Sequence, residues 1–115
     1  MTATAVFLYK NKGVNCAQAI AKAWQIISGS KKELTEQMST CGHGNAPQEL
    51  CGALYAAQII SGKENGAKIA SRFAEVTGGA LTCREIRSGK KLSCPECVRL
   101  AGVLLEEVLE MATVA

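Results

Sequence analysis

The chain has 115 residues, of which 48% are hydrophobic and 20% charged, with a formal net charge of +3 at pH 7. This length and composition predict one folded domain with its own core and exclude a disordered chain. The basic residues are dispersed among acidic ones, which argues against nucleic-acid binding. The apolar stretch at residues 3–8 is too short for a secretory signal or a membrane span, so we expect a cytoplasmic protein without direct membrane insertion.

The apolar pattern predicts helices along the whole chain. No segment alternates with the period of a strand, and aromatic residues are only 4% of the sequence. We therefore expect an all-α fold, a compact single-domain bundle of about six short-to-medium helices over residues 1–115. With their caps, the predicted helices span about residues 2–9, 15–28, 30–38, 47–60, 67–76 and 93–112, with a shorter segment at 81–86.

Capping residues set several of these limits. Asn15 is a good N-cap, Ser30/Glu33 and Ser93/Glu96 each fit a capping box, and Pro47 suits the first turn of a helix. Helical periodicity then predicts the buried stripes. These are Cys16, Ile20, Ala23, Trp24 and Ile27; Ile69, Phe73 and Val76; and Cys94, Cys97, Val98, Ala101, Leu104, Leu105 and Val108.

Six cysteines carry most of the candidate chemistry, since the chain has one histidine and no aspartate. In a reducing compartment, six thiols argue for metal binding or redox turnover more than for permanent disulfides. Four of them, Cys16, Cys51, Cys83 and Cys94, fall at or near predicted helix starts, with Cys51 expected in the first turns of its helix. There the backbone N–H groups and the helix dipole favour the thiolate.

The sharpest motif is Cys94-Pro95-Glu96-Cys97 at the start of the last helix. In dithiol oxidoreductases this spacing gives an attacking sulfur, here Cys94, and a resolving one, Cys97. No βαβ pattern surrounds the motif, so a thioredoxin fold is excluded. A C-x-x-C pair also serves as half of a zinc or iron–sulfur site, and the loop residues Cys41 and His43 are further candidate metal ligands. The alternative is that these cysteines fill the core as small hydrophobes.

Four cysteine-containing segments of the chain form a pattern together: Asn15-Cys16-Ala17-Gln18-Ala19, Cys51-Gly52-Ala53-Leu54-Tyr55-Ala56, Cys83-Arg84-Glu85 and Cys94 to Val98. This pattern resembles the C_GCAxxG_C_C family, small helical four-cysteine proteins of bacteria and archaea to which a redox role is attributed. The resemblance covers about residues 5–110 and implies that Cys16, Cys51, Cys83 and Cys94 are the family cysteines. A similar domain accompanies the haems of split-Soret cytochromes, where an iron–sulfur centre is associated with it.

The chain departs from this family pattern in three places. Ala56 stands where the family has glycine, Cys41 and His43 lie in an otherwise glycine-rich segment, and Cys97 is an additional thiol. No C-x-x-C-H motif is present, which excludes a covalently attached haem.

Two functions are compatible with these cysteines. In the first, Cys16, Cys51, Cys83 and Cys94 hold a two-iron iron–sulfur cluster that transfers single electrons to a redox partner protein. In the second, the thiols cycle between dithiol and disulfide without metal, with Cys94 attacking and Cys97 or Cys51 resolving. A structural zinc site is a third possibility. The apolar final helix packs either on its own core or on a second subunit of a homodimer.

Overall fold

Six α-helices make up most of the chain in this computed structural model, which describes residues 2–11, 13–28, 38, 50–89 and 92–113. In chain order they are α1 (Thr2–Asn11), α2 (Cys16–Ser28), α3 (Gly52–Ser61), α4 (Lys63–Thr77), α5 (Cys83–Ser88) and α6 (Cys94–Thr113). Within the described ranges the extended backbone is limited to one isolated antiparallel bridge between Leu50 and Thr82. The predicted all-α fold is confirmed.

Several of the sequence predictions lie outside the described residues. They include the capping pair Ser30/Glu33, the helix predicted over residues 30–38 apart from Met38, and Pro47. The two candidate metal ligands Cys41 and His43 also lie there. No helix in the described part of the chain is long and apolar enough to cross a membrane.

Reciprocal capping bonds begin α2 and α6 where the sequence predicts them. The N–H of Gln18 donates to Asn15 Oδ1 at 2.7 Å, and the N–H of Asn15 donates to Gln18 Oε1 at 3.0 Å. At α6 the N–H of Glu96 donates to Ser93 Oγ at 3.3 Å, and the N–H of Ser93 donates to Glu96 Oε1 at 2.8 Å. Each pair supplies acceptors for backbone N–H groups that have no partner within the helix.

Helix α3 begins later than predicted, and Cys51 precedes it. The prediction placed Cys51 inside the first turns of a helix from residue 47, but Cys51 is the N-cap, with φ −54° and ψ 127°. Its N–H donates to the carbonyl of Leu81 at 2.9 Å, next to the bridge between Leu50 and Thr82. These contacts hold residues 50 and 51 extended against the segment that leads into α5, so the helix starts only at Gly52.

The core lies where α3 packs against α2, α4 and α6, with α1 against α2 and α6. Its largest fully buried apolar side chains are Phe73, Ile20, Leu54, Ile69, Ile86, Leu105 and Val98. The radius of gyration, 12.7 Å, is close to the roughly 13 Å of a compact domain of this size. Helix α1 approaches α6 closely at Gly102, where an added Cβ would lie only 3.0 Å from Thr2 Oγ1.

Two predicted core residues are on the surface instead. Ile27 is 59% exposed, because it lies in the last turn of α2, beyond the part of that helix that is packed in the described structure. Val76 is 55% exposed, and the neighbouring Thr77 is fully buried in its place. The Thr77 hydroxyl bonds to the carbonyls of Phe73 and Ala80 at the left-handed turn that ends α4, and this turn brings Thr77 rather than Val76 inward.

The capping role of Ser93 predicts a measurable loss of stability. Ser93→Ala is expected to lower the free energy of unfolding by about 1 kcal/mol, because a backbone N–H at the start of α6 loses its acceptor. Ser93→Thr keeps the hydroxyl and is expected to lose at most a few tenths of a kcal/mol. Urea denaturation under reducing conditions measures both variants. Equal losses in the two would contradict the capping role.

Candidate functional site

Five cysteines from four parts of the chain line a single cavity. They are Cys16, Cys51, Cys83, Cys94 and Cys97, and the lining is completed by Tyr9, Gly52, Ile86 and Leu92. The cavity has a volume of about 20 Å³, which is room for about one water molecule. The four cysteines that resemble the family pattern, 35, 32 and 11 positions apart in the sequence (16 to 51, 51 to 83, 83 to 94), thus line one cavity.

Helix starts bring these cysteines to the cavity. Cys16, Cys83 and Cys94 are the first residues of α2, α5 and α6, and Cys51 is the N-cap of α3. The positive ends of these four helices therefore carry four of the five cysteines of the cavity. At the start of α3, the backbone N–H groups of Leu54 and Ala53 lower the pKa of the Cys51 thiol.

The capping residue before Cys83 is one that the sequence analysis missed. The N–H of Glu85 donates to Thr82 Oγ1 at 3.1 Å, and the Thr82 hydroxyl donates to Glu85 Oε1 at 3.0 Å. The signal was present, since Thr82 and Glu85 have the same spacing as Ser93 and Glu96. Each cysteine that begins a helix at the cavity therefore follows a residue that caps that helix.

The thiol of Cys51 has a clearly lowered pKa, which favours its thiolate form. Its side chain is only 4% exposed, yet its pKa is lowered from 9.0 to about 7. The main cause is a hydrogen bond from the Cys97 thiol, and the backbone N–H groups of Leu54 and Ala53 in the first turn of α3 lower it further. Burial acts in the opposite direction, because it disfavours the charged form.

Cys97 is the protonated partner of this pair. It lies one turn into α6 and is 5% exposed. Its pKa is raised, first because its proton is used in the hydrogen bond to Cys51, and further by burial and by the nearby sulfurs of Cys51, Cys94 and Cys16. As the pH rises above about 7, the site therefore favours a Cys51 thiolate that accepts a hydrogen bond from a Cys97 thiol.

The pairing of Cys97 with Cys51 differs from the arrangement that the C-x-x-C motif suggests. Within the motif, Cys97 is one turn from Cys94, and the sequence alone makes Cys94 its first partner. In the folded chain the side-chain hydrogen bond of Cys97 goes to Cys51, on another helix. None of the five described cysteines is joined in a disulfide. Cys94 is more exposed than either member of the pair and lines the same cavity.

The donor chemistry of the cavity fits a thiolate-bound metal. Cysteine sulfurs from separate elements are the ligands that iron–sulfur clusters and structural zinc use. Among the described residues, however, no group of three or more His, Cys, Asp or Glu side chains is arranged to hold a metal ion. A two-iron cluster is also larger than a cavity with room for one water molecule, so its binding requires the cysteine side chains to move apart.

No protein family model, curated protein or solved structure matches this chain. The resemblance to the C_GCAxxG_C_C family therefore stays a prediction. The feature of this chain that bears on its function is the cysteine-lined cavity.

The Cys51 pKa predicts a distinctive titration. The ultraviolet absorbance of thiolate is expected to show a midpoint near pH 7 in the wild-type protein, and Cys51→Ser should remove it. Cys97→Ala should move the midpoint to higher pH, because the Cys51 sulfur loses its thiol donor. Cys83→Ser is the matched control, since Cys83 lines the same cavity, whereas the causes of the shift are Cys97, Leu54, Ala53 and burial. A midpoint that is the same with and without Cys97 would refute the hydrogen-bond account.

The same shift has a consequence for stability. Because the Cys51 pKa is lower in the folded protein than its ordinary value of 9.0, the ionised form favours folding. Its contribution is fully present above about pH 9 and is lost as the pH falls through about 7. In that window the free energy of unfolding should rise with pH less steeply in Cys51→Ser than in the wild-type protein.

Proposed function

We propose that this chain is a redox-active cysteine protein in which Cys51 and Cys97 alternate between a thiolate–thiol pair and a disulfide. The observation that supports the proposal is that Cys51 and Cys97 line one cavity where α3 packs against α6, and that the Cys97 thiol lowers the Cys51 pKa by donating a hydrogen bond. The cavity thus brings together two cysteines of opposite character, one with a pKa lowered to about 7 and one held protonated. This is the combination that thiol–disulfide chemistry requires, since the thiolate is the nucleophile and the thiol supplies the second sulfur.

Oxidation of this pair forms one S–S bond and releases two electrons and one proton to the oxidant. The reduced state is stabilised by the hydrogen bond and by the N–H groups at the start of α3. Stabilising the reduced form makes a dithiol couple more oxidising. We therefore expect Cys51 and Cys97 to have a less negative reduction potential than an unperturbed dithiol, which suits reversible turnover rather than a permanent structural disulfide.

Equilibration in graded thiol/disulfide redox buffers tests this function. The metal-free protein is expected to lose two of its six thiols in one reversible two-electron transition. Peptide mapping by mass spectrometry should place the disulfide between Cys51 and Cys97. Cys51→Ser and Cys97→Ser should each abolish the transition, whereas the matched control Cys83→Ser should keep it. A disulfide between Cys94 and Cys97 that forms equally well in Cys51→Ser would contradict the proposal.

A second candidate is electron transfer through an iron–sulfur cluster, and one specific observation favours it. The four family cysteines, Cys16, Cys51, Cys83 and Cys94, line the same cavity although they come from four separate elements. When bound there, a cluster supplies one-electron redox chemistry, and zinc on the same thiolates would be structural. Electron transfer through a cluster also needs a partner protein that donates or accepts electrons.

Anaerobic purification, followed by a visible spectrum and by iron, sulfide and zinc analysis, separates these candidates. Brown protein with about two irons and two sulfides per chain, lost on Cys16→Ser, would favour the cluster over the metal-free couple. Zinc near one equivalent would favour a structural site. The dithiol proposal expects colourless protein with little bound metal.

A further inference from the structure

The cavity around Cys51 and Cys97 limits which oxidants can reach the pair. Its volume of about 20 Å³ admits about one water-sized group. The described residues that complete its lining are Tyr9, Gly52, Ile86 and Leu92, none of which carries a charge at neutral pH. A bulky reagent therefore meets a steric barrier. A charged reagent must also give up its water shell to residues that offer little polar compensation, which costs free energy.

Burial adds to this restriction. Cys51 and Cys97 are 4% and 5% exposed, so a disulfide reagent or the disulfide of another protein reaches either sulfur only slowly, when the surrounding elements open. The backbone at Cys51 is held in place by the hydrogen bond from its N–H to the Leu81 carbonyl. Reaching the sulfur from outside would mean separating α3 from the segment before α5, whereas a small neutral molecule needs only the cavity.

We propose that the direct oxidant of the Cys51–Cys97 pair is a small uncharged hydroperoxide, with hydrogen peroxide, the smallest member of the class, favoured over bulkier hydroperoxides. The inference rests on the proposed dithiol function and identifies the substrate of that same site. It follows from the small size of the cavity, from its uncharged lining outside the cysteines, and from the burial of both sulfurs. Thiolates react with hydroperoxides to give sulfenic acids, and a neighbouring thiol converts these to disulfides.

The reaction proceeds in two balanced steps. The Cys51 thiolate attacks one oxygen of hydrogen peroxide, the O–O bond breaks, and the other oxygen leaves as hydroxide, so that Cys51 becomes a sulfenic acid. Cys97 gives its proton to this hydroxide, forming water, and its thiolate then attacks the Cys51 sulfur. The S–S bond forms and a second hydroxide leaves. The two sulfurs lose two electrons, and the peroxide gains them.

Trapping of the sulfenic acid is the first test. Cys97→Ser removes the thiol that resolves the intermediate. Treatment of the folded variant with hydrogen peroxide, followed by unfolding in urea that contains dimedone so that this bulky trap reaches the buried sulfur, should therefore label Cys51, as read by peptide mass spectrometry. The wild-type protein should instead form the Cys51–Cys97 disulfide with little label. Labelling of Cys94 or Cys16 in place of Cys51 would overturn the inference.

Size selection is the second test. Cumene hydroperoxide has the same O–O bond as hydrogen peroxide but carries a bulky group. The ratio of the rate with hydrogen peroxide to the rate with cumene hydroperoxide is expected to be about tenfold or more higher in the folded protein than in the urea-unfolded chain. Leu92→Ala should reduce this preference, because Leu92 lines the cavity and is partly exposed. Leu100→Ala, a truncation of a partly buried leucine of α6 outside the cavity lining, is the matched control and should leave the preference unchanged.

The dithiol function and the identity of its oxidant can be refuted separately. If the disulfide between Cys51 and Cys97 forms in thiol/disulfide redox buffers but peroxide selects no sulfur and shows no size preference, the oxidant is wrong and the dithiol function stands. If neither treatment joins these two cysteines, the dithiol function fails, and the oxidant fails with it.

Discussion

Helix α3 and helix α6 each contribute one buried cysteine to the same cavity, and a hydrogen bond joins the two sulfurs. The chemistry of the site depends on this contact. Without the Cys97 donor, burial would favour a neutral Cys51 thiol, which is a poor nucleophile. With it, the charge that Cys51 takes into the interior is compensated by the Cys97 proton and by the N–H groups of the first turn of α3.

The arrangement of helix starts explains why sulfur chemistry is placed here rather than elsewhere in the bundle. Three helices begin with a cysteine that directly follows a capping residue, and the fourth is preceded by Cys51 itself. Backbone N–H groups therefore surround the cavity on several sides, where they stabilise negative charge. The same electrostatics would assist a thiolate-bound metal, which is why the cavity supports two candidate functions.

Local signals in the sequence predicted the parts of the fold that depend on neighbouring residues. The caps at Asn15 and Ser93 were predicted correctly because a capping box is formed within four residues. The position of Cys51 was predicted wrongly, because the contact that holds it extended comes from Leu81, thirty residues away (51 to 81). Tertiary contacts of this kind override local helix preference.

The candidate site also combines features that local sequence predicts with features that depend on tertiary contacts. The sequence indicated which cysteines matter, since helix starts and the C-x-x-C motif are local features. It could not indicate that Cys97 pairs with Cys51, because that contact depends on how α3 packs against α6. Likewise, helical periodicity placed both Ile27 and Val76 in the core, yet both are exposed because one lies past the packed part of its helix and the other precedes a buried threonine at a left-handed turn.

A crystal structure of the oxidised protein, beside one of the anaerobically reduced protein, tests the central claim most directly. The account predicts electron density for a sulfur–sulfur bond of about 2.05 Å between Cys51 and Cys97 after oxidation, and two separate sulfurs in hydrogen-bond contact after reduction. Helices α3 and α6 should occupy the same positions in both. A metal or cluster bridging Cys16, Cys51, Cys83 and Cys94, or a disulfide that joins Cys97 to Cys94, would contradict it.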